Sequence, residues 1–207
     1  MRAPLRLVVP ALAVSLVLLS GCAQQGDADT ASSTAGPTAE ETATAGEPTA
    51  PPASPTPSAE FPGDTEPDTA TASADARVTV SDVRLAAQDG FDRVVLEVGG
   101  EGTPGWDVRY VDTASDPGSG AETRLEGEAV LQVGLTGAGY PYDTGVEEFS
   151  SAGTLRAPGT GSVTEVAFKA TYEGTTTAFI GTRTQAPFRV YLMQDPVRVV
   201  VEVAHAG

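Results

Sequence analysis

The sequence predicts an all-β domain, a β-sandwich of about eight short strands in two sheets, placed behind a signal peptide and a disordered linker. Three observations carry that prediction. Val-rich runs with period-two alternation recur through residues 77–207, Gly and Pro clusters separate them, and no window there holds a clean helical period over ten residues. The 131 residues of this segment are enough for one packed core and too few for two.

In chain order, residues 1–21 read as a signal peptide. Arg2 and Arg6 form a basic start, followed by an apolar stretch over 7–19 broken only by Pro10 and Ser15. A spanning helix needs roughly 20 apolar residues, so this stretch has the length of a signal-peptide core instead. Leu19-Ser20-Gly21-Cys22 resembles a bacterial lipobox, in which Ser20 and Gly21 are small enough for the cleft of a signal peptidase. The resemblance implies that Cys22, the only cysteine of the chain, carries lipid on its sulfur and becomes the first residue of the mature protein. A lone cysteine elsewhere in an oxidising compartment would be a free thiol. Two acyl chains at Cys22 would suffice to hold the protein stably in the bilayer. The expected location is the extracytoplasmic face of the cell membrane, lipid-anchored.

Residues 22–76 read as the lipidated cysteine followed by a disordered acidic linker. From 23 onward it is made almost wholly of Ala, Thr, Pro, Ser, Gly, Asp and Glu, with Phe61 its single aromatic and no Val, Ile, Leu, Lys or Arg. Nothing in that alphabet offsets the entropy of ordering it, so the linker is expected to contribute nothing to the fold. Its ten acidic residues account for ten of the sixteen net negative charges. As a flexible coil it would average about 40 Å end to end, a tether able to enter a thick wall. The Thr, Ser and Pro bias suits either O-glycosylation or a plain solvated spacer.

Residues 77–207 supply the strands. They are expected at 78–85, 93–98, 106–111, 129–135, 165–172, 176–182, 188–193 and 198–203, with a brief helical turn near 144–151. Asp195-Pro196 reads as the turn between the last two strands. Two strands share a pattern of Arg, three aliphatics, Glu and Val, at Arg93 to Val98 and at Arg198 to Val203. Within each, the Arg and the Glu four residues on point to one face. A sandwich of two related halves would place these strands equivalently, and Arg93 and Arg198 read as strand-face charges paired with acidic neighbours.

Little here points to chemistry. His205 is the only histidine and stands near the chain end, where a Ser-His-Asp triad would rest on a fraying terminus. One histidine and a lipidated cysteine provide no zinc ligand set. Asp112 and Asp116 lack the spacing of a calcium loop, and Glu147-Glu148 read as surface charge. No cofactor or metal is expected. With ten basic against eighteen acidic residues, the 77–207 segment repels nucleic acid. The aromatics least committed to core alternation are Trp106, Tyr140 and Tyr142, which could stack on sugars beside Arg109 or Asp143. For Trp106 the other reading is a core plug. Tyr140-Pro141-Tyr142 stands in a Gly-rich loop, where aromatics are more often functional.

The stretch Phe188-Arg189-Val190-Tyr191-Leu192-Met193-Gln194-Asp195-Pro196-Val197-Arg198 and the strand after it resemble the closing signature of the AMIN domain. Phe91-Asp92-Arg93-Val94-Val95-Leu96-Glu97 resembles its opening one. With Gly105-Trp106-Asp107-Val108-Arg109-Tyr110-Val111, Leu125-Glu126-Gly127, Ile180-Gly181 and Pro187-Phe188, the chain is similar to the AMIN-like domain of lipoproteins from high-GC Gram-positive bacteria, over about 77–205. Eleven Arg against one Lys fit such a genome. Glu97 and Glu202 stand where Asp is commoner, and the irregular stretch 137–161 has no evident equivalent. The resemblance implies a two-sheet sandwich and a non-catalytic module that binds or targets to the cell envelope, with peptidoglycan as ligand. The alternative is a protein-interaction module that scaffolds or regulates another envelope protein. A solute-binding protein is disfavoured, because 131 residues leave no room for two lobes and a cleft.

Overall fold

The computed structural model describes residues 61–206. Cys22, the signal peptide and the linker up to residue 60 lie outside the described residues. Two antiparallel sheets pack face to face. The first holds, in spatial order, β2 (Arg77–Ala87), β3 (Phe91–Glu101), β9 (Arg198–Ala204) and β8 (Phe188–Met193). The second holds β1 (Asp68–Ala70), β4 (Gly105–Val111), β5 (Ala129–Thr136), β7 (Thr175–Thr182) and β6 (Val163–Tyr172).

The alternation in the sequence maps directly onto the two faces. In β3, Asp92, Val94, Leu96 and Val98 are buried while Phe91, Arg93, Val95 and Glu97 between them are only partly covered. Val94, Leu96, Val199, Val201 and Val203 of the first sheet meet Val108, Leu131, Val133, Val166 and Ile180 of the second in one core. Burying each such side chain stabilises the fold by about 1.5–3 kcal/mol. Strand β7 is buried on both faces, because Ala114, Leu125 and Val130 join Ala167 and Phe179 in a second, smaller cluster.

All eight expected strands are present. The ninth, β1, falls inside the stretch assigned above to the linker, which corrects that boundary. Asp68, Thr69 and Ala70 pair with Val108, Asp107 and Trp106. Upstream, Asp64 and Phe188 exchange backbone hydrogen bonds at 3.2 and 2.7 Å, so residues 61–70 form a strap that runs from the edge of the first sheet to the edge of the second. Gly63 fits there because a Cβ would stand 2.4 Å from the Phe188 carbonyl oxygen. Composition concealed the strap because backbone pairing and carboxylate hydrogen bonds order it, with little apolar burial.

The expected helical turn is displaced. A single turn, α1 (Pro141–Thr144), starts with Pro141 at its first position and ends at Gly145, whose φ of 70° suits the left-handed closing residue. Residues 146–151 are extended against β2 instead, where the Phe149 N–H donates to the Val80 carbonyl at 2.8 Å. Stretch 137–161 thus closes the opposite side of the sandwich. Leu155 exchanges hydrogen bonds with Val166 on the β6 edge, and Glu148 accepts the Thr171 N–H.

The two look-alike strands are neighbours, β3 and β9, in the middle of one sheet. They run antiparallel with Val95 opposite Val200, Arg93 opposite Glu202 and Glu97 opposite Arg198. The internal likeness therefore relates hairpin β2–β3 to hairpin β8–β9 within one sheet, where two halves of a sandwich were expected.

Candidate functional site

The tyrosine loop leaves β5 at Gly137 and is zipped onto the start of β2. Val78 N–H donates to the Gly137 carbonyl and Gly139 N–H to the Val78 carbonyl, at 3.0 and 2.8 Å. The buried Thr79 hydroxyl contacts the Gly139 carbonyl at 2.8 Å and the Thr144 hydroxyl at 2.7 Å. On this rigid base Tyr140 takes the extended N-cap conformation and Tyr142 enters the helical turn. Their rings stack at 5.3 Å with 11° between planes, and Tyr142 remains 81% exposed.

A third ring, missed by the sequence reading, lies against Gly118 at the end of β6. Ala138 N–H donates to the Gly174 carbonyl at 3.1 Å, which sets the β6–β7 turn beside the loop and brings Tyr172, 43% exposed, into its neighbourhood. Tyr172 had read as a strand end. Partial desolvation, Asp143 and Tyr140 raise the Tyr142 phenol above its ordinary value; Glu173 does the same to Tyr172. Both hydroxyls are neutral donors at neutral pH. The surface offers flat π faces, hydroxyls and the carboxylates of Asp143 and Glu173, a combination suited to stacking on a sugar ring and hydrogen-bonding its hydroxyls.

Trp106 does not belong to this surface. It lies on the inner face of β4 with Val108 and Tyr110 and packs against the main core. Its indole Nε1–H donates to Asp68 Oδ1 at 2.9 Å. The ring is a core plug with a satisfied polar handle, held by the strap.

Arg93 pairs with an acidic neighbour as expected, whereas Arg198 turns to the Pro196 and Gln194 carbonyls instead. Glu202 points away from the core yet is 0% exposed. Arg93 donates Nε–H and Nη2–H to its Oε1 at 2.8 and 2.6 Å, and Tyr191 adds its hydroxyl at 2.9 Å. Arg189 places Nε and Nη2 on Oε2, each at 2.5 Å. Burial disfavours the Glu202 charge, but hydrogen bonds from Arg93, Tyr191 and Arg189 outweigh it and hold the carboxyl below the usual range.

His205 is not frayed. Its Nε2 lies 2.9 Å from Oδ1 of the fully buried Asp92, which also accepts the N–H groups of Gly161, Ser162 and Val163. Ser162 stands close by, but its hydroxyl donates to the Ala204 carbonyl at 2.6 Å and is itself buried. Among the described residues no group of three or more His, Cys, Asp or Glu is placed to hold a metal ion.

With the fold and these clusters in view, comparison with known families gives one result, a match of residues 78–205 to the AMIN-like domain. The chain belongs to that family. The AMIN-like domain match begins at the second residue of β2 and ends at His205, so it takes in β2 to β9, the tyrosine loop and the Arg93–Glu202–Arg189 row, and leaves the strap outside. No curated protein and no solved structure matches the chain.

Proposed function

We propose that this AMIN-like protein is a non-catalytic envelope lipoprotein that binds peptidoglycan through the surface formed by Tyr140, Tyr142 and Tyr172. The family assignment is consistent with an envelope-associated module. The observation that carries the finer reading is the stacked tyrosine pair, a largely exposed Tyr142 on a half-buried Tyr140, on a loop that β2 fixes from below. An aromatic ring as exposed as Tyr142, stacked on a second ring outside the core clusters, suits a sugar ligand. In this reading Cys22 carries the acyl chains, residues beyond it span the distance to the wall, and the sandwich makes the contact.

A scaffold that adds a partner strand to an open sheet edge is supported less well. The strap and stretch 137–161 occupy the edges on both sides of the sandwich. The deciding experiment is sedimentation of the full chain, in detergent, with purified sacculi. Retention that the Tyr140→Ala/Tyr142→Ala double variant loses supports the proposal; absence of retention by the wild-type chain transfers the function to a protein partner.

A further inference from the structure

The row Arg93–Glu202–Arg189 crosses three neighbouring strands, with Arg93 and Arg189 each directly opposite Glu202. Both guanidinium groups bind Glu202 side-on through Nε and Nη2. Among the described residues neither Nη1 has a hydrogen-bond partner, and each arginine side chain is 35% exposed. The aromatic rings fix the planes further. The Arg93 guanidinium lies 5.4 Å from the Phe91 centroid, and that of Arg189 lies 5.4 Å from Phe61 and 5.6 Å from Tyr191. Phe61 and Phe91 are themselves 6.1 Å apart. The result is two immobilised guanidinium groups over one buried carboxylate, a net charge of +1 in a chain whose overall charge is −16.

Stability does not account for this arrangement. Buried Arg–Glu–Arg groups add little to stability relative to apolar side chains of similar volume, because desolvation cancels the attraction. The related half of the same sheet shows what a solvated version looks like. There Arg84, 53% exposed, is shared between Asp82 at 3.1 Å and Glu97 at 2.6 Å, which leaves that group at −1. Arg198, opposite Glu97, turns to the Pro196 and Gln194 carbonyls. The Glu202 row by itself sums to +1 and holds both of its guanidinium groups in place.

We propose that Arg93 and Arg189 form a binding site for an oxyanion, a carboxylate or phosphate borne on an acidic wall polymer, with Phe61 and Phe91 covering the adjoining apolar part of the ligand. Guanidinium donors already held in plane recognise such groups at low entropic cost. Three strap carboxylates, Asp64, Glu66 and Asp68, line the hollow beside Arg189; Asp68 accepts from the Trp106 indole and the Val190 N–H and Asp64 from the Glu66 N–H, and among the described residues none of the three pairs with Arg189. The site is separate from the tyrosine surface and does not depend on its sugar-binding role.

Titration of the full chain with poly-L-glutamate and with polyphosphate tests the site and separates the two oxyanions. Binding of either is expected, weakened about tenfold or more by Arg93→Gln or Arg189→Gln, since each removes a charged hydrogen-bonding group. Each variant leaves Glu202 one guanidinium and the Tyr191 hydroxyl, so the fold is retained, and a melting curve verifies this. Arg84→Gln removes the same charge from the other half and is expected to change affinity less than twofold. The proposal is overturned if the wild-type chain binds neither probe, or if Arg84→Gln weakens binding as much as the other two variants. Sacculi stripped of phosphodiester polymers and sacculi with amidated carboxylates then identify the natural source, and failure of the tyrosine double variant to alter this binding leaves the site intact.

Discussion

Asp68 joins the two sheets through one carboxylate: Oδ1 accepts the Trp106 indole N–H at 2.9 Å, and Oδ2 the Val190 backbone N–H at 3.3 Å. Trp106 belongs to β4 and Val190 to β8, on opposite layers of the sandwich. The side chain is a clasp supplied by the strap.

Asp68→Ala is therefore expected to cost about 1.5–3 kcal/mol, the range for hydrogen bonds to a charged group. Asp68→Asn keeps an oxygen for the indole and should recover part of that loss. A chain beginning at Asp75 lacks β1 and the Asp64–Phe188 bridge and should melt several degrees lower than one beginning at Ala23. Equal melting temperatures would show that the strap does not stabilise the sandwich.

Trp106 and the tyrosines should separate cleanly under substitution. Trp106→Ala opens a cavity at the core margin and should cost about 3–5 kcal/mol in urea unfolding. Tyr142→Ala removes a ring that is 81% exposed and should change stability by less than about 0.5 kcal/mol. In sacculus binding the order reverses, with each lost stacking contact worth on the order of 1 kcal/mol.

Glu202 gives the protein an acid limit. Its folded-state pKa lies below the unfolded value, so its contribution is complete above the ordinary glutamate pKa of about 4.3 and is lost as pH falls from there toward the folded value. Glu202→Gln leaves two guanidinium groups without their anion and should cost about 3–5 kcal/mol at pH 7. The gap between variant and wild type should narrow at pH 3, read as the difference in urea midpoints. A gap independent of pH would mean that the carboxylate charge contributes nothing to the fold.

Asp92 anchors both the 161–163 backbone and His205. Asp92→Ala leaves three N–H groups without their acceptor, and the amides of Ser162 and Val163 should exchange with deuterium far faster than in the wild type. Unchanged protection would show that another acceptor replaces the carboxylate.

The eight longer strands were legible because period-two alternation is strong wherever one face is buried, as in β3. β1 was not: Asp68-Thr69-Ala70 has no apolar pattern, and its pairing depends on a distant partner at 106–108. The loop tyrosines were visible as uncommitted aromatics, whereas Tyr172 was hidden by the strand it ends. The shared Arg and Glu spacing of β3 and β9 could be read directly. Arg189 faces Glu202 across the short β8–β9 hairpin, but that Arg93 stands opposite Glu202 on the other side follows only from register between segments 109 residues apart, which local pattern does not encode.

The strap also decides how the domain meets mechanical force. A pull along the backbone from residue 60 reaches the Asp64–Phe188 bridge and β1 before any strand of the core. Peeling residues 61–70 would free the Trp106 indole and the outward N–H groups of β8 while β2 to β9 kept their pairing. The sandwich thus carries a breakable outer segment on its N-terminal side, and tension applied there would expose a fresh strand edge before it threatened the core.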